Sequence, residues 1–142
     1  MLEQVILADY RGFCAGVDYA VNAVEDLVKE KGSPVFVNHP IVHNEHVLNE
    51  LREKGVTFLD YTKDSIKLAR GTNIVLSAHG SPIDMKDKAE SLGLNVYDAV
   101  CPLVRKVHNE AVKKHSLGYE LVLICHKNHP ETIGTKSYAP MH

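Results

Sequence analysis

Five side chains that can bind metals or anions lie at similar places in the sequence, each shortly after an apolar run and close to the start of a helix-like pattern. Two are cysteines, Cys14 and Cys101, and three are histidines, His43, His79 and His129. In an open parallel sheet the carboxyl ends of the strands share one edge, and ligands bind in the crevice outside it. We therefore expect these five side chains to face one another across a single crevice.

The two cysteines lie in turns that lead into helices, within the segments RGFCAGV and DAVCP. Gly12 and Gly16 would let the backbone approach a ligand closely, and a helix N-terminus favours anions such as a thiolate. Metal ligation by Cys14 and Cys101 is one interpretation, and inert buried cysteines are the other, because no CxxC spacing is present. A zinc site of two cysteines with histidines is a further alternative. We expect Cys125 to be a small hydrophobic side chain in the core or near the site.

The histidine segments suit a ligand that carries phosphate. His79 is followed by a permissive glycine and then by Ser81 and Pro82, which are typical of a helix N-cap and first helical residue. An imidazolium, free backbone N–H groups and a helix dipole all favour phosphate. Glu131 lies two residues after His129 and could donate or relay a proton beside a bound anion. Ordinary turn histidines and a solvated carboxylate are the alternatives for each residue alone.

The composition is that of an ordinary globular protein, with 142 residues, 44% hydrophobic and 24% charged, and a formal net charge of -2. This charge provides no basic field for nucleic acid. No apolar stretch approaches the roughly 20 residues of a membrane span, and the N-terminus lacks a signal-peptide pattern. Three widely spaced cysteines argue against a disulfide framework. We therefore expect no nucleic-acid partner, no membrane association and a cytoplasmic location.

Apolar runs alternate with helical periodicity along the chain, which predicts an α/β fold with a mainly parallel sheet and flanking helices. The predicted strands are 3–8, 35–37, 56–59, 73–76, 94–97 and 120–124. The predicted helices begin near 17, 44, 81 and 102 and end near glycines 32, 55, 93 and 118, with a weak helical turn at 66–69. The motif of strand, cysteine turn and helix occurs twice, so we expect a first α/β lobe at 1–97 and an incomplete second lobe at 98–142. The pattern fails after Gly134, and the sequence looks truncated.

Taken together, these segments resemble the LytB/IspH family of 4-hydroxy-3-methylbut-2-enyl diphosphate reductases. The resemblance rests on RGFCAGVDYAV, PIVHNEHVLNELREKGVTF, SAHGSP, DAVCPLVRKVHNE and HPETIGT, in the family's order. It corresponds to roughly the N-terminal half of a family member. It implies a trefoil-like fold of α/β lobes around a central iron–sulfur cluster, of which this chain would hold one full and one partial lobe.

For the cofactor, the resemblance implies a [4Fe-4S] cluster held by three cysteines, with one iron open to the substrate. Cys14 and Cys101 match the first two of these ligands, and the third would lie beyond residue 142. A ferredoxin or flavodoxin type protein would supply two electrons. Val100 stands where the family often has threonine, Cys125 where glycine is common, and the tail 136–142 does not resemble the family.

For the substrate, the resemblance implies that His43, His79 and His129 bind the diphosphate or the hydroxyl region. Glu131 matches the acid that delivers protons as the allylic hydroxyl leaves. The products would be isopentenyl and dimethylallyl diphosphate, in the non-mevalonate pathway of isoprenoid synthesis. The alternative hypothesis is a truncated, non-catalytic module that binds phosphate or diphosphate.

Overall fold

Four strands form one parallel sheet in the computed structural model, which describes residues 4–60 and 68–142. The strand order is β2-β1-β3-β4, where β1 is Val35–Asn38, β2 is Val56–Leu59, β3 is Asn73–Leu76 and β4 is Asn95–Asp98. The helices are α1 Ala15–Lys31, α2 Glu45–Glu53, α3 Met85–Ser91, α4 Pro102–Ser116 and α5 Pro130–Lys136. The predicted α/β class with a parallel sheet is confirmed.

The sheet is covered on both faces, because alternate residues of a strand point to opposite sides. Val35, Val37 and Val75 belong to a core cluster that includes the buried residues of α1 and α2. Ile74 belongs to a second cluster with Ala89 of α3. Helices therefore lie on both sides of the sheet, as its nearly continuous apolar strands require.

Local signals in the sequence account for most helix ends. The side chain of Asn44 caps α2 by accepting hydrogen bonds from the backbone N–H groups of His46 (3.1 Å) and Val47 (3.4 Å). α4 begins at Pro102, directly after Cys101, and α1 begins directly after Cys14. The four central strand predictions match the observed strands to within one residue at either end.

Two predicted strands are wrong. Residues 4–8 do not form a strand, and Val5, Ile6 and Leu7 are 65% to 82% exposed, since the described part of the chain pairs no other strand with them. Segment 120–124 is not a strand either. Its backbone pairs with His142, whose N–H donates to the Leu121 carbonyl and whose carbonyl accepts from the Leu123 N–H, at 2.9 Å each, and one such pairing is too short for a ladder.

The helix predicted from Ser81 is also wrong at its start, since α3 begins four residues later at Met85. Residues 82–85 form a turn instead, with the Met85 N–H bonded to the Pro82 carbonyl at 3.0 Å. Proline suits a turn as well as a helix start, so the sequence signal was ambiguous. Of the weak helical turn at 66–69, residues 66 and 67 lie outside the described residues, and 68 and 69 are not helical.

Residues 99–142 differ from the sheet in having few buried side chains. His108 is the one buried residue of α4, and helix α5 lies where the sequence suggested only a turn. The lobe boundary near residue 97 stays a prediction. Across 4–60 and 68–142, no helix has the length and apolar character needed to cross a membrane.

Candidate functional site

Three of the five side chains form a tight cluster. The ring centroids of His43 and His79 are 5.3 Å apart, those of His79 and His129 are 5.8 Å apart, and those of His43 and His129 are 6.2 Å apart. The rings are tilted or edge-on to one another rather than stacked. We call these three residues the histidine cluster.

Each histidine of the cluster comes from a different connection. His43 follows β1 and directly precedes Asn44, the cap of α2, while His79 follows β3. His129 is the N-cap residue of α5, where its Nδ1 accepts a hydrogen bond from the backbone N–H of Glu131 at 3.3 Å. Because Nδ1 is the acceptor, Nε2 is the nitrogen that carries the proton in the neutral ring of His129.

Close backbone packing brings α5 to the loop that carries His79. A Cβ placed on Gly134 would lie 3.1 Å from the carbonyl oxygen of Gly80, so the absence of a side chain at Gly134 allows an approach that a larger residue would obstruct. The Ser137 hydroxyl, just after α5, accepts a hydrogen bond from the Ile83 N–H at 2.9 Å. Gly80 has φ +84°, a conformation that favours glycine.

The electrostatics of the cluster favour an anionic ligand. Burial holds the pKa of His79 below its usual value, and the neighbouring His43 and His129 lower it further, while Glu131 opposes the shift. A bound phosphate would reverse this balance, because a nearby negative charge stabilises the imidazolium form. The histidine cluster is therefore neutral at His79 when empty and gains affinity for protons when an anion binds.

The two cysteines also lie together. Cys14 and Cys101 are the N-cap residues of α1 and α4, and neither side chain makes a cap hydrogen bond. A Cβ placed on Gly16 would collide with Cys101 Sγ and lie 4.0 Å from Cys14 Sγ, so both sulfurs approach one glycine. All three cysteines are free thiols. No set of three histidine, cysteine or acidic side chains suited to a metal ion occurs among the described residues.

The cysteine pair is joined to the histidine cluster through the backbone. The Cys101 N–H donates to the carbonyl of Ala78 at 3.2 Å, and Ala78 directly precedes His79. The turns that carry Cys101 and His79, which are far apart in sequence, therefore meet at one edge of the sheet.

Residues 5–142 match a family model described as LytB protein. The chain belongs to the LytB family. Among its curated relatives is a 4-hydroxy-3-methylbut-2-enyl diphosphate reductase of Methylibium petroleiphilum, 49% identical over 134 residues, which are 94% of this chain and 40% of the relative. A reductase of the same name from Chromobacterium violaceum is 44% identical over 135 residues, covering 95% of this chain and 42% of the relative.

Solved structures of LytB relatives have the same fold. The E-1-hydroxy-2-methyl-but-2-enyl-4-diphosphate reductase of Plasmodium falciparum aligns with a TM-score of 0.84 at 38% identity, over 94% of this chain and 42% of that one. A second reductase, described as the terminal enzyme of the non-mevalonate pathway, aligns with a TM-score of 0.81 at 36% identity, over 94% of this chain and 46% of that one. The chain thus spans about two fifths of its curated LytB relatives.

The LytB match corrects one expectation about the end of the chain. The tail 136–142 was expected not to resemble the family, yet the match extends to residue 142. The structure agrees with a match that includes the tail, because α5 continues to Lys136 and the backbone of His142 pairs with segment 121–123.

Glu131 and Cys125 lie near His129. Both border a cavity of about 280 Å³ that His129 also lines. Cys125 is exposed, so it is not a core side chain as one half of its prediction had it, because segment 121–126 is an irregular surface segment and not an inner strand. The other half of that prediction, a position near the site, agrees with its place on this cavity. Glu131 is exposed as well, and its charge partly opposes the lowering of the His79 pKa.

Sequence reasoning missed His108, which lies against the loop of His79. A Cβ placed on Gly80 would be 2.7 Å from His108 Cε1. The signal was present, because His108 occupies a position on the apolar face of α4 that a hydrophobic residue would ordinarily fill. Histidine is less often fully buried than aliphatic residues, so a histidine on the apolar face of a helix is a sign of a specific contact.

Proposed function

We propose that this chain carries part of the active site of a 4-hydroxy-3-methylbut-2-enyl diphosphate reductase. The observation that carries the proposal is the histidine cluster, which lies beside the cysteine pair in a chain of the LytB family. Imidazoles suit an anionic substrate and thiolates suit an iron–sulfur centre. The reaction is reductive dehydroxylation in the non-mevalonate pathway: the allylic C–O bond breaks, the oxygen leaves as water, and two electrons and two protons are consumed.

The histidine cluster is proposed to bind the diphosphate. Rings 5.3 to 6.2 Å apart can each direct a nitrogen to a different oxygen of one phosphoryl group. His129 presents its protonated Nε2, because its Nδ1 is engaged at the N-cap of α5. His79, neutral when the cluster is empty, becomes a better donor when the anion raises its pKa.

Glu131 is proposed to deliver a proton to the departing hydroxyl. Its carboxyl group borders the same cavity as His129 and is exposed, so protons from solvent can reach it. The backbone of Glu131 is held by the side chain of His129. The proposed proton donor, Glu131, and a proposed diphosphate-binding residue, His129, therefore both lie at the N-terminal end of α5. The hydrogen bond between them fixes their separation.

Cys14 and Cys101 are the residues that would hold an iron–sulfur cluster, and their sulfurs fit that role because both approach Gly16. When bound, a [4Fe-4S] cluster supplies electrons and a Lewis-acidic iron for the hydroxyl oxygen. By the resemblance to the family, its third cysteine ligand would lie beyond residue 142. A ferredoxin or flavodoxin type donor in the cytoplasm is the proposed source of the two electrons.

A second candidate function is a non-catalytic module that binds diphosphate. It is favoured by one contrast: the three histidines of the cluster are all present, whereas the described residues hold only two neighbouring thiols and no three-ligand metal group. In this case the chain would bind phosphate-bearing ligands without iron.

Calorimetric titration with inorganic pyrophosphate tests the histidine cluster. We expect His79→Ala and His129→Ala to weaken binding at least about tenfold, since each removes a charge-assisted hydrogen bond. His46→Ala is the matched control, because His46 is an exposed histidine of α2 outside the cluster, and it should leave the affinity unchanged. If pyrophosphate does not bind the unsubstituted chain, both candidate functions are wrong.

Anaerobic reconstitution with iron and sulfide separates the two candidates. The reductase proposal predicts bound iron with visible absorption from thiolate-to-iron charge transfer, and loss of that iron in Cys14→Ser and Cys101→Ser. Cys125→Ser is the control, because Cys125 is exposed and outside the pair. Pyrophosphate binding by a chain that retains no iron would favour the non-catalytic module.

A further inference from the structure

His108 has no part in the proposed chemistry, yet it is the most enclosed side chain of α4. Its imidazole is only 1% exposed. The ring stacks on Tyr138, with centroids 4.1 Å apart and planes inclined by 21°. Burial holds the pKa of His108 below its usual value, so the ring is neutral at physiological pH.

The same ring lies against the loop that carries His79. The point where a Cβ on Gly80 would sit is 2.7 Å from His108 Cε1 and 3.2 Å from Nε2. Real Cβ atoms do not make contacts as short as the first, so the ring occupies space that only a glycine leaves open. The His108 ring therefore limits how far Gly80 can move toward α4. Because His79 directly precedes Gly80, the ring also limits the position of His79.

The other contact of His108 reaches the end of α5. Tyr138 follows α5 by two residues, and His129 is the N-cap residue of α5. Gly134, in the middle of α5, lies against the carbonyl of Gly80. His108 therefore contacts the two structural parts that carry His79 and His129.

Hydrogen bonding gives no stability reason for a histidine here. Nε2 of His108 is buried without a partner among the described residues, and the same holds for Nδ1 of His79 and the hydroxyls of Ser77 and Ser81. All four atoms lie on or against one loop. Unpaired buried polar atoms lower stability, and they concentrate where function has been favoured over packing.

We infer that His108 is a positioning residue: by filling the space between Gly80 and Tyr138, it sets the separation of His79 and His129. The inference rests on the proposed function, because this separation matters as the spacing of two diphosphate ligands. His108 acts through the loop and α5 and makes no contact with the substrate.

The test is His108→Ala, with His115→Ala as the matched control. His115 is an exposed histidine on the same helix, so its removal should change nothing at the cluster. In His108→Ala we expect the affinity for inorganic pyrophosphate to fall about tenfold, or ~1.4 kcal/mol. We also expect the pKa of His79, followed by NMR titration, to move up toward the ordinary histidine value, because His129 no longer holds its distance.

Tyr138→Leu provides a second route to the same result, and serves alone if His108→Ala does not fold. It removes the stacked ring and leaves His108 in place, so it should shift the His79 pKa in the same direction. The two substitutions combined should cost less than the sum of their separate effects, because both act through one contact.

A merely structural role predicts a different pattern. In that case His108→Ala and Tyr138→Leu lower the melting temperature but leave the His79 pKa and the pyrophosphate affinity within about twofold of the unsubstituted chain, and the inference is overturned. If the unsubstituted chain does not bind pyrophosphate, the proposed function fails, while the NMR titration of His79 still decides whether His108 positions it.

Discussion

The sheet unit, residues 15–60 and 68–98, and the helical segment, residues 99–142, are held together in different ways. In the sheet unit, α1 and α2 and the strands share one cluster of fully buried apolar side chains. In the helical segment, α4 buries only His108. Four large apolar side chains on α4 or just after it are 43% to 69% exposed: Leu103, Val107, Val112 and Leu117. Stability therefore resides in the sheet unit.

The histidine cluster takes side chains from both regions. His43 and His79 belong to the sheet unit, and His129 belongs to the helical segment. The contacts that join the two regions beside the cluster include those of Gly80 with Gly134 and with His108, and the hydrogen bond from Ile83 to Ser137. The fold and the geometry of the site can therefore be damaged separately.

The largest expected effect contrasts one leucine from each region. Leu51→Ala removes a side chain that is 1% exposed in the sheet core and should lower the free energy of unfolding by about 2–5 kcal/mol. Leu103→Ala, on α4, removes one that is 69% exposed and should change it by no more than about 0.5 kcal/mol. Urea unfolding followed by circular dichroism measures both, and equal losses would contradict the contrast.

A second prediction separates the site from the fold. Gly134→Val places a branched side chain where even a Cβ would be 3.1 Å from the Gly80 carbonyl, so α5 must move away from the loop of His79. We expect pyrophosphate affinity to fall about tenfold, ~1.4 kcal/mol, with circular dichroism unchanged. Lys136→Val introduces the same side chain at an exposed position of α5 and should have little effect. If both variants lost the same amount of pyrophosphate affinity, the low helix propensity of valine in α5 would be the cause, and not the contact with Gly80.

The third effect is smaller, because it appears only over the pH range between two pKa values. The pKa values of His79 and His108 are lowered in the folded chain, so the unfolded chain binds more protons near the ordinary histidine value of 6.5. The free energy of unfolding should therefore rise with pH between the folded and the unfolded pKa values. As the pH falls through the same range, this contribution of the two histidines to stability is lost.

Denaturant unfolding at a series of pH values measures this slope. His79→Gln and His108→Gln should each reduce it, and His115→Ala, which removes an exposed histidine, should not. A slope that is the same in all three variants would show that neither buried histidine is linked to folding. Saturating pyrophosphate should also reduce the slope, since a bound anion raises the pKa of His79.

Much of the sheet unit was predictable, because its signals are local. Apolar runs of strand length, the Asn44 cap and the proline at the start of α4 each act over a few residues and required no knowledge of distant contacts. The edges of the molecule were not predictable in this way. Segments 3–8 and 120–124 have strand composition, but a strand forms only where another strand pairs with it.

The residue types of the site were recognisable in the sequence, since cysteine, histidine and glutamate near helix starts indicate metal and phosphate chemistry whatever their final positions. Tertiary packing, which local sequence signals do not specify, brings the three ring centroids within 6.2 Å of one another and both sulfurs close to Gly16, and it leaves Cys125 exposed. It also decided that His108 fills the space beside Gly80. The physical reason is that periodicity specifies which face of an element is apolar, whereas distances between side chains depend on how closely two backbones can pack, here through glycines more than 50 residues apart in sequence.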